Sequence, residues 1–385
     1  MRTASSITRT CTDTNRHPWL RRVLLSILLL FVLAAPALGG PGGKPATPNA
    51  LAPLDGDDHS FAAMINDRGK VAGRSVGVST TAVVWDRRGN VTMLLPLGSD
   101  QDSFAEAINK RGDVVGYSRA GSSPCGAGDT AVKWDRHGAP SPLAALPGHI
   151  ETRGFGINDK GVTVGISLEP RRPDCTAAFH AVRWDRKGKP TLLASPSASL
   201  PEGFANRVSN NGRVSGFVND AAGSQFSAVA WDRRNVPTLL PTIPTSPIYI
   251  AVGVNNKGTM VGQGFNFGFE SQALVWDRHG NPPVALAPLG TDPEALAAGI
   301  NKHGSVVGMS GVALFAVVFQ IFEPPASAVL WDKHGVPTAL PPLPGDDFSY
   351  GFGVNDRGDV VGYSNSAGTG ANTAVVWRKG KGRKK

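Results

Sequence analysis

Seven tryptophans, Trp85, Trp134, Trp184, Trp231, Trp276, Trp331 and Trp377, recur at steps of 49, 50, 47, 45, 55 and 46 residues, each inside the same phrase. That phrase runs small-apolar-x-Ile/Val-Asn-x-x-Gly-x-Val-Val-Gly, a variable stretch, Ala-Val-x-Trp-Asp-Arg-x-Gly, then Thr-x-Leu-x-x-Leu. Self-similarity at a fixed period outranks length as a guide to domain number, so the 385 residues read as one array of units. Short β-forming runs separated by Asn, Asp and Gly predict four strands per unit. Gly 47 and Pro 30 beside only 7% aromatic residues agree with many turns and few long helices.

The turns share one chemistry. Asn66-Asp67-Arg68-Gly69 and Asp86-Arg87-Arg88-Gly89 place an Asx side chain at the first position of a type I turn and a glycine three residues on, where φ is positive. The exceptions keep to the same physics: Ser209 can cap a turn, and Asn235 tolerates the left-handed region. These residues are therefore assigned to folding.

A unit of four strands cannot bury both faces alone and must stack on its neighbours, radially or linearly. The seventh unit stops after its third strand at Trp377, and an orphan strand, Ala50-Leu51-Ala52-Pro53-Leu54, precedes the first. The orphan fills the gap and removes the open edges. The expected fold is all-β, a seven-bladed β-propeller over residues 49–377. It has four antiparallel strands per blade, and repeats near 49–97, 98–146, 147–195, 196–243, 244–289, 290–343 and 344–377. The Gly/Ala-rich strand before each Asn-x-x-Gly should line the channel. One face should carry cationic turn tips (Arg68, Arg87, Arg88, Arg111, His137, Arg357), and the other variable loops and acids.

At the N-terminus, Arg21 and Arg22 precede an apolar run from Val23 to Leu38, and Ala35-Pro36-Ala37 offers small residues for cleavage. Residues 1–37 read as a secretory signal peptide, with an uncleaved anchor as the alternative, followed by a Gly/Pro-rich linker over 38–48. The Arg pair is a poor twin-arginine match. A secreted or periplasmic protein with no transmembrane span after cleavage is expected. The pI near 9.6 comes from the two ends, since residues 378–385 form a basic tail, and the body between is close to neutral. A nucleic-acid-binding body is therefore not expected. In an exported protein Cys125 and Cys175, each nine residues before a repeat Trp, are expected to pair. Facing sheets stand about 10 Å apart, so the loops must lean together.

The repeated Ile/Val-Asn-x-x-Gly-x-Val-Val-Gly followed by Ala-x-x-Trp-x-x-x-Gly resembles the extracellular HAF-repeat family of bacterial exported proteins. The likeness covers all seven units, although only the third has His180-Ala181, and Val182 follows in place of Phe. The resemblance implies a secreted repeat protein and no established activity. WD40 blades share the Trp-Asp pair, but the Gly-His half of that signature is missing.

No catalytic motif stands out. Gly73-Arg74-Ser75-Val76-Gly77 matches a nucleophile elbow, yet Gly-Tyr-Ser, Gly-Ile-Ser and Gly-Met-Ser occupy the same place elsewhere with no helix following, so it reads as a strand end. His59, His149 and His180 lack Cys or His partners at metal-ligand spacing, and zinc is not expected. The acidic loops supply oxygen ligands that suit Ca²⁺, without an EF-hand order, and no other cofactor is indicated. The sixth unit carries an apolar insertion from Ser310 to Phe322. The candidate binding face therefore comprises Asp57, Asp58, Asp100, Asp102, Asp292, Asp346 and Asp347 with Leu314, Phe315, Phe319 and Phe322. The insertion's other reading is a strand pair packed on its own blade. The expected function is a non-enzymatic binding module for a protein or cell-envelope glycan, with a propeller lyase or hydrolase as the alternative.

Overall fold

The computed structural model describes residues 46–121, 128–172, 175–244, 246–266, 268, 270–314 and 324–379. Among them are twenty-eight β-strands and no helix. The strands fall into four-stranded antiparallel meanders. In chain order these are β2 (His59–Ile65), β3 (Val71–Val76), β4 (Thr80–Trp85) and β5 (Val91–Leu94); β6 (Asp102–Ile108), β7 (Val114–Arg119), β8 (Asp129–Trp134) and β9 (Pro140–Pro142); β10 (Glu151–Ile157), β11 (Thr163–Leu168), β12 (Phe179–Trp184) and β13 (Pro190–Leu192). Next come β14 (Glu202–Val208), β15 (Val214–Asn219), β16 (Phe226–Trp231) and β17 (Pro237–Leu239); β18 (Ile248–Val254), β19 (Met260–Phe265), β20 (Ser271–Trp276) and β21 (Val284–Ala285). The set ends with β22 (Glu294–Ile300), β23 (Val306–Gly311), β24 (Ala326–Trp331) and β25 (Pro337–Leu340), then β26 (Phe348–Val354), β27 (Val360–Asn365) and β28 (Asn372–Trp377). Here β1 (Pro48–Leu51) supplies the fourth strand, running antiparallel to β28 with Pro48 opposite Trp377 and Leu51 opposite Ala374. This strand ends before the expected Ala52–Leu54. Pro53 has no N–H to give a ladder, and the Ala52 carbonyl is taken by the Trp85 indole.

Every repeat tryptophan is fully buried and donates its indole N–H out of its own sheet. The acceptor is in each case a carbonyl of the chain leaving the preceding sheet: Ala52, Leu95, Ala144, Ala194, Pro241, Ala287 and Pro341, all at 2.7 or 2.8 Å. The apolar core likewise lies between sheets. Leu51, Ala62 and Trp85 pack with Val361, Ala374 and Val376.

The two hairpin turns differ in what they ask of their first residue. Asn66 Oδ1 accepts the N–H groups of Arg68 and Lys70, both at 3.0 Å, while its Nδ2 donates to the Asn109 carbonyl of the next sheet at 2.9 Å. Asn109, Asn158, Asn255 and Asn301 repeat the outward link, and Asn355 donates to the Asn66 carbonyl at 3.1 Å. An amide carries its acceptor and its donor on separate atoms, so one can close the turn while the other reaches the next sheet, and these side chains are buried. The second turn needs an acceptor alone at an accessible place, and aspartate serves. Backbone N–H groups of the turn hold Asp135, Asp185 and Asp232 below the ordinary carboxylate value. As expected, Asn235 replaces glycine with φ at 68°.

The first strand of every sheet carries a β-bulge that the sequence pattern did not reveal, as between Ala205 and Arg207. Opposite it stands the glycine of Val-Val-Gly. A Cβ on Gly216 would fall 1.9 Å from the Phe204 carbonyl oxygen and 2.8 Å from Trp231, so no side chain fits there.

Ser209 breaks the chain of amide links. Its hydroxyl caps its own turn through Arg213 and donates nothing to the next sheet. Ser209→Asn should therefore stabilise the protein by about 1 kcal/mol, and Asn301→Asp, which buries an acceptor against the Asn355 carbonyl, should cost about 1–3 kcal/mol. Urea denaturation midpoints test both. A Ser209→Asn protein less stable than its parent would contradict the role given to the amides.

Candidate functional site

The first strands of the units have two unlike ends. At the turn end a space of about 180 Å³ is lined by the Ile/Val-Asn-x tripeptide of six units and by Val208-Ser209-Asn210 of the fourth. Its polar groups are largely consumed by turn-to-turn bonds: Lys110 N–H reaches Asp159 at 2.8 Å, Asp356 N–H reaches Asp67 at 2.9 Å, and Lys302 Nζ lies 3.2 Å from Asp356. Few groups are left there to read a ligand.

The opposite end is asymmetric. In the first four units, the residues two places before the bulge and those after the Val-Val-Gly glycine are half-exposed, with Ile166 the exception: Phe61 and Arg74, Phe104 and Tyr117, Arg153, Phe204 and Phe217. Phe104 and Tyr117 stack with centroids 4.5 Å apart, and the Arg119 guanidinium lies 5.0 Å from the Phe104 centroid. Arg153 covers Tyr117 at 5.3 Å and Arg74 covers Phe61 at 4.5 Å. Phe155 and Phe204 stack at 4.6 Å, and Phe204 and Phe217 at 5.1 Å.

Asp129, whose side chain is 0% exposed, organises the cations. It takes Arg119 Nε at 2.8 Å and also binds Arg153. Burial pushes the Tyr117 phenol up to about 12 and the nearby Glu106 charge adds to it, while Arg153 and Arg119 oppose it. At neutral pH Tyr117 is thus a hydrogen-bond donor rather than a base. Burial pushes the Arg207 guanidinium down, against the pull of Glu106, and its Nη1 donates to the Phe155 carbonyl at 2.6 Å.

In the last three units the equivalent positions are closed. Leu296, Met309, Tyr350 and Tyr363 pack around Leu314, which is itself fully buried. The Glu294 carboxylate fixes this cover by accepting the N–H groups of Ala313 at 2.7 Å, Leu314 at 3.1 Å and Ser271 at 3.1 Å. Leu314 is therefore core and not part of an exposed patch, which corrects the sequence expectation. Phe315, Phe319 and Phe322 lie outside the described residues.

The expected acidic face also reads differently. Asp57, Asp100 and Asp292 accept the hydroxyls of Ser75, Ser118 and Ser310 at 2.6, 2.6 and 2.8 Å. The serine of the apparent nucleophile elbow is thus a buried strand residue that ties down the turn entering its sheet. Asp102 accepts the Thr80 N–H and Asp347 the Ala367 N–H, both at 2.8 Å. Asp58 and Asp346 sit in the same turns. Among the described residues none of these acids joins a group able to hold a metal ion; the group that does form is His149, Glu169 and His180. The expectation that these two histidines stand apart is therefore corrected: their ring centroids are 5.1 Å apart. Residues about thirty apart in sequence gave no spacing signal, because the β10–β12 meander brings them together. Cys125 lies outside the described residues, and Cys175 sits in the β11–β12 loop with φ at 65°.

No protein-family model matches the chain, and no curated protein does. Among solved structures, streptogramin B lyase is similar at a TM-score of 0.53 and 10% identity, over 86% of this chain and 97% of that one. An acylaminoacyl peptidase from Pyrococcus horikoshii gives 0.53 and 11% over 83% of this chain, which spans 51% of that longer protein. The β-propeller domain of the Trilobed protease from Pyrococcus furiosus, described as having an open velcro topology, gives 0.50 and 11%, over 83% and 94%. At such identities the likeness is one of fold, and the fold is β-propeller.

Removing the Asp129 carboxylate leaves two half-buried guanidinium groups without their partner. Asp129→Ala should lower stability by roughly 3 kcal/mol, the low end for a broken buried pair because Arg119 and Arg153 keep some solvent. A loss below ~1 kcal/mol in chemical denaturation would show that the carboxylate does not hold the cluster together.

Proposed function

We propose that the chain is an exported seven-bladed propeller, closed by β1, that acts as a non-enzymatic binding module for an acidic glycan of the cell envelope. Support for closure comes from links across the chain ends that copy the internal ones: β1 on β28, Trp85 on Ala52, Ala374 N–H on Ser60 Oγ at 2.9 Å, and Asn355 on Asn66. Export rests on the N-terminal apolar run and agrees with the HAF-repeat resemblance. A Cys125–Cys175 disulfide belongs to the same reading and rests on the matched positions of the two cysteines, nine residues before their tryptophans.

The observation that carries the binding reading is the half-exposed row of aromatic rings under Arg74, Arg119 and Arg153. Flat rings suit the apolar faces of sugars, and guanidinium groups suit carboxylates. A protonated Tyr117 and a fully paired Asp129 are poorly suited to proton abstraction. The alternative, a lyase or hydrolase, draws on Glu106, which is not repeated in other units and whose charge acts on Tyr117 and Arg207.

Calorimetric titration with a uronic-acid oligosaccharide and a neutral one of equal length separates these readings. The acidic glycan alone should bind, unchanged on recovery, and Phe104→Ala or Arg74→Ala should weaken it roughly tenfold, about 1.4 kcal/mol. Equal binding of both glycans or of neither contradicts the proposal, and shortened or unsaturated products would favour the enzyme. Closure has its own test. Removing residues 46–54 should lower Tm far more than removing residues 380–385, and equal melting would count against a closed ring.

A further inference from the structure

Three side chains that the glycan reading does not use converge at one rim of the third unit. His149 lies in the connector entering β10, Glu169 follows β11 directly, and His180 is the second residue of β12. One ligand atom from each lies within 4.8 Å of the other two. His180 Nε2 is 3.0 Å from Glu169 Oε1, which a simple hydrogen-bonded pair would explain. It leaves His149 unexplained, because its Nδ1 is buried with no partner among the described residues. An imidazole nitrogen held out of water beside a second imidazole and a carboxylate costs stability unless something accepts its lone pair or its proton.

We propose that His149, Glu169 and His180 bind one divalent transition-metal ion of the zinc class. Two imidazoles and one carboxylate are a borderline N/O donor set suited to such ions and unlike the all-oxygen sets of Ca²⁺ or Mg²⁺. Three protein ligands leave a tetrahedral ion one open position.

The site is held in place by its own loop. Glu169 N–H bonds the Ala178 carbonyl at 3.0 Å. Arg171 grips Glu151 through two 2.8 Å contacts and also donates to the Cys175 carbonyl. The β11–β12 loop is therefore closed on itself at both ends of the ligand pair. Such preorganisation favours metal affinity because little ordering remains for the ion to impose.

The test uses the mature protein purified without a histidine tag and stripped with a chelator. Co²⁺ serves as the spectroscopic probe, and Zn²⁺ is measured by competition against a chromophoric chelator. One equivalent should bind, and Zn²⁺ should raise Tm. His149→Ala and Glu169→Gln should each lose affinity by at least the roughly 10- to 100-fold typical of damaging even the residues that support a metal's ligands. His303→Ala, at an exposed turn, should leave binding unchanged. Circular dichroism and the metal-free Tm show whether each variant folds. Zn²⁺ affinity unchanged in His149→Ala overturns the proposal, as does binding of several equivalents that His303→Ala also weakens, which would mark surface coordination. Neither outcome bears on glycan capture, so the two readings stand or fall separately.

Discussion

An indole N–H that bonds outside its own sheet sets the terms for the whole molecule. A four-stranded meander satisfies its own backbone but has two apolar faces, and nothing in the meander fixes how the next one sits on it. Each repeat tryptophan supplies both missing terms, a large buried surface and a directed bond to the chain that has just left the neighbouring sheet. Losing such a side chain would forfeit about 3–5 kcal/mol of packing, more than a single turn contributes. The amide links at the turn end and the serine and threonine hydroxyls that bridge neighbouring sheets, such as Ser103 to Ala82 N–H, then fix the angle between sheets.

This division of labour frees the other end of the first strands. Because the packing is carried by the residues between sheets and by the turns, the residues at that end are under no common demand, and the units diverge there. Four units present aromatic rings and arginines, while the last ones are sealed under Leu314 by the Glu294 carboxylate. A repeat protein acquires an address in this way, by breaking its own symmetry where symmetry is not needed for stability.

Much of the architecture was legible in the residues. Period, strand number, turn chemistry and the orphan strand follow from Asn, Gly and Trp placed at fixed intervals. The cluster of rings and arginines was not legible, because Arg119, Asp129 and Arg153 belong to two units and meet only once the sheets stack. The acidic loops misled for the complementary reason. A carboxylate beside glycine looks solvated in a sequence, yet Asp57 and its counterparts spend their oxygens on a serine eighteen residues later. His149 and His180 were hidden by the same limitation, since a meander joins residues that no linear spacing rule connects.

Ser209 leaves one joint without its buried amide link, and among the described residues that joint is where two sheets are joined by backbone ladder pairing, the parallel pair of Phe226 with Ile248. Both of those residues begin their strands, at the end away from the Asn turns. The turn end keeps other ties, since the Asn210 N–H reaches Asn256 Oδ1 at 2.8 Å and the Asn211 amide donates to the Asn256 carbonyl, with Asn206 to the Ala251 carbonyl part-way between the two ends. Because those two bonds are exposed where the other joints bury an amide, water competes for them, and within a molecule of near-equal units this joint differs in kind from its neighbours.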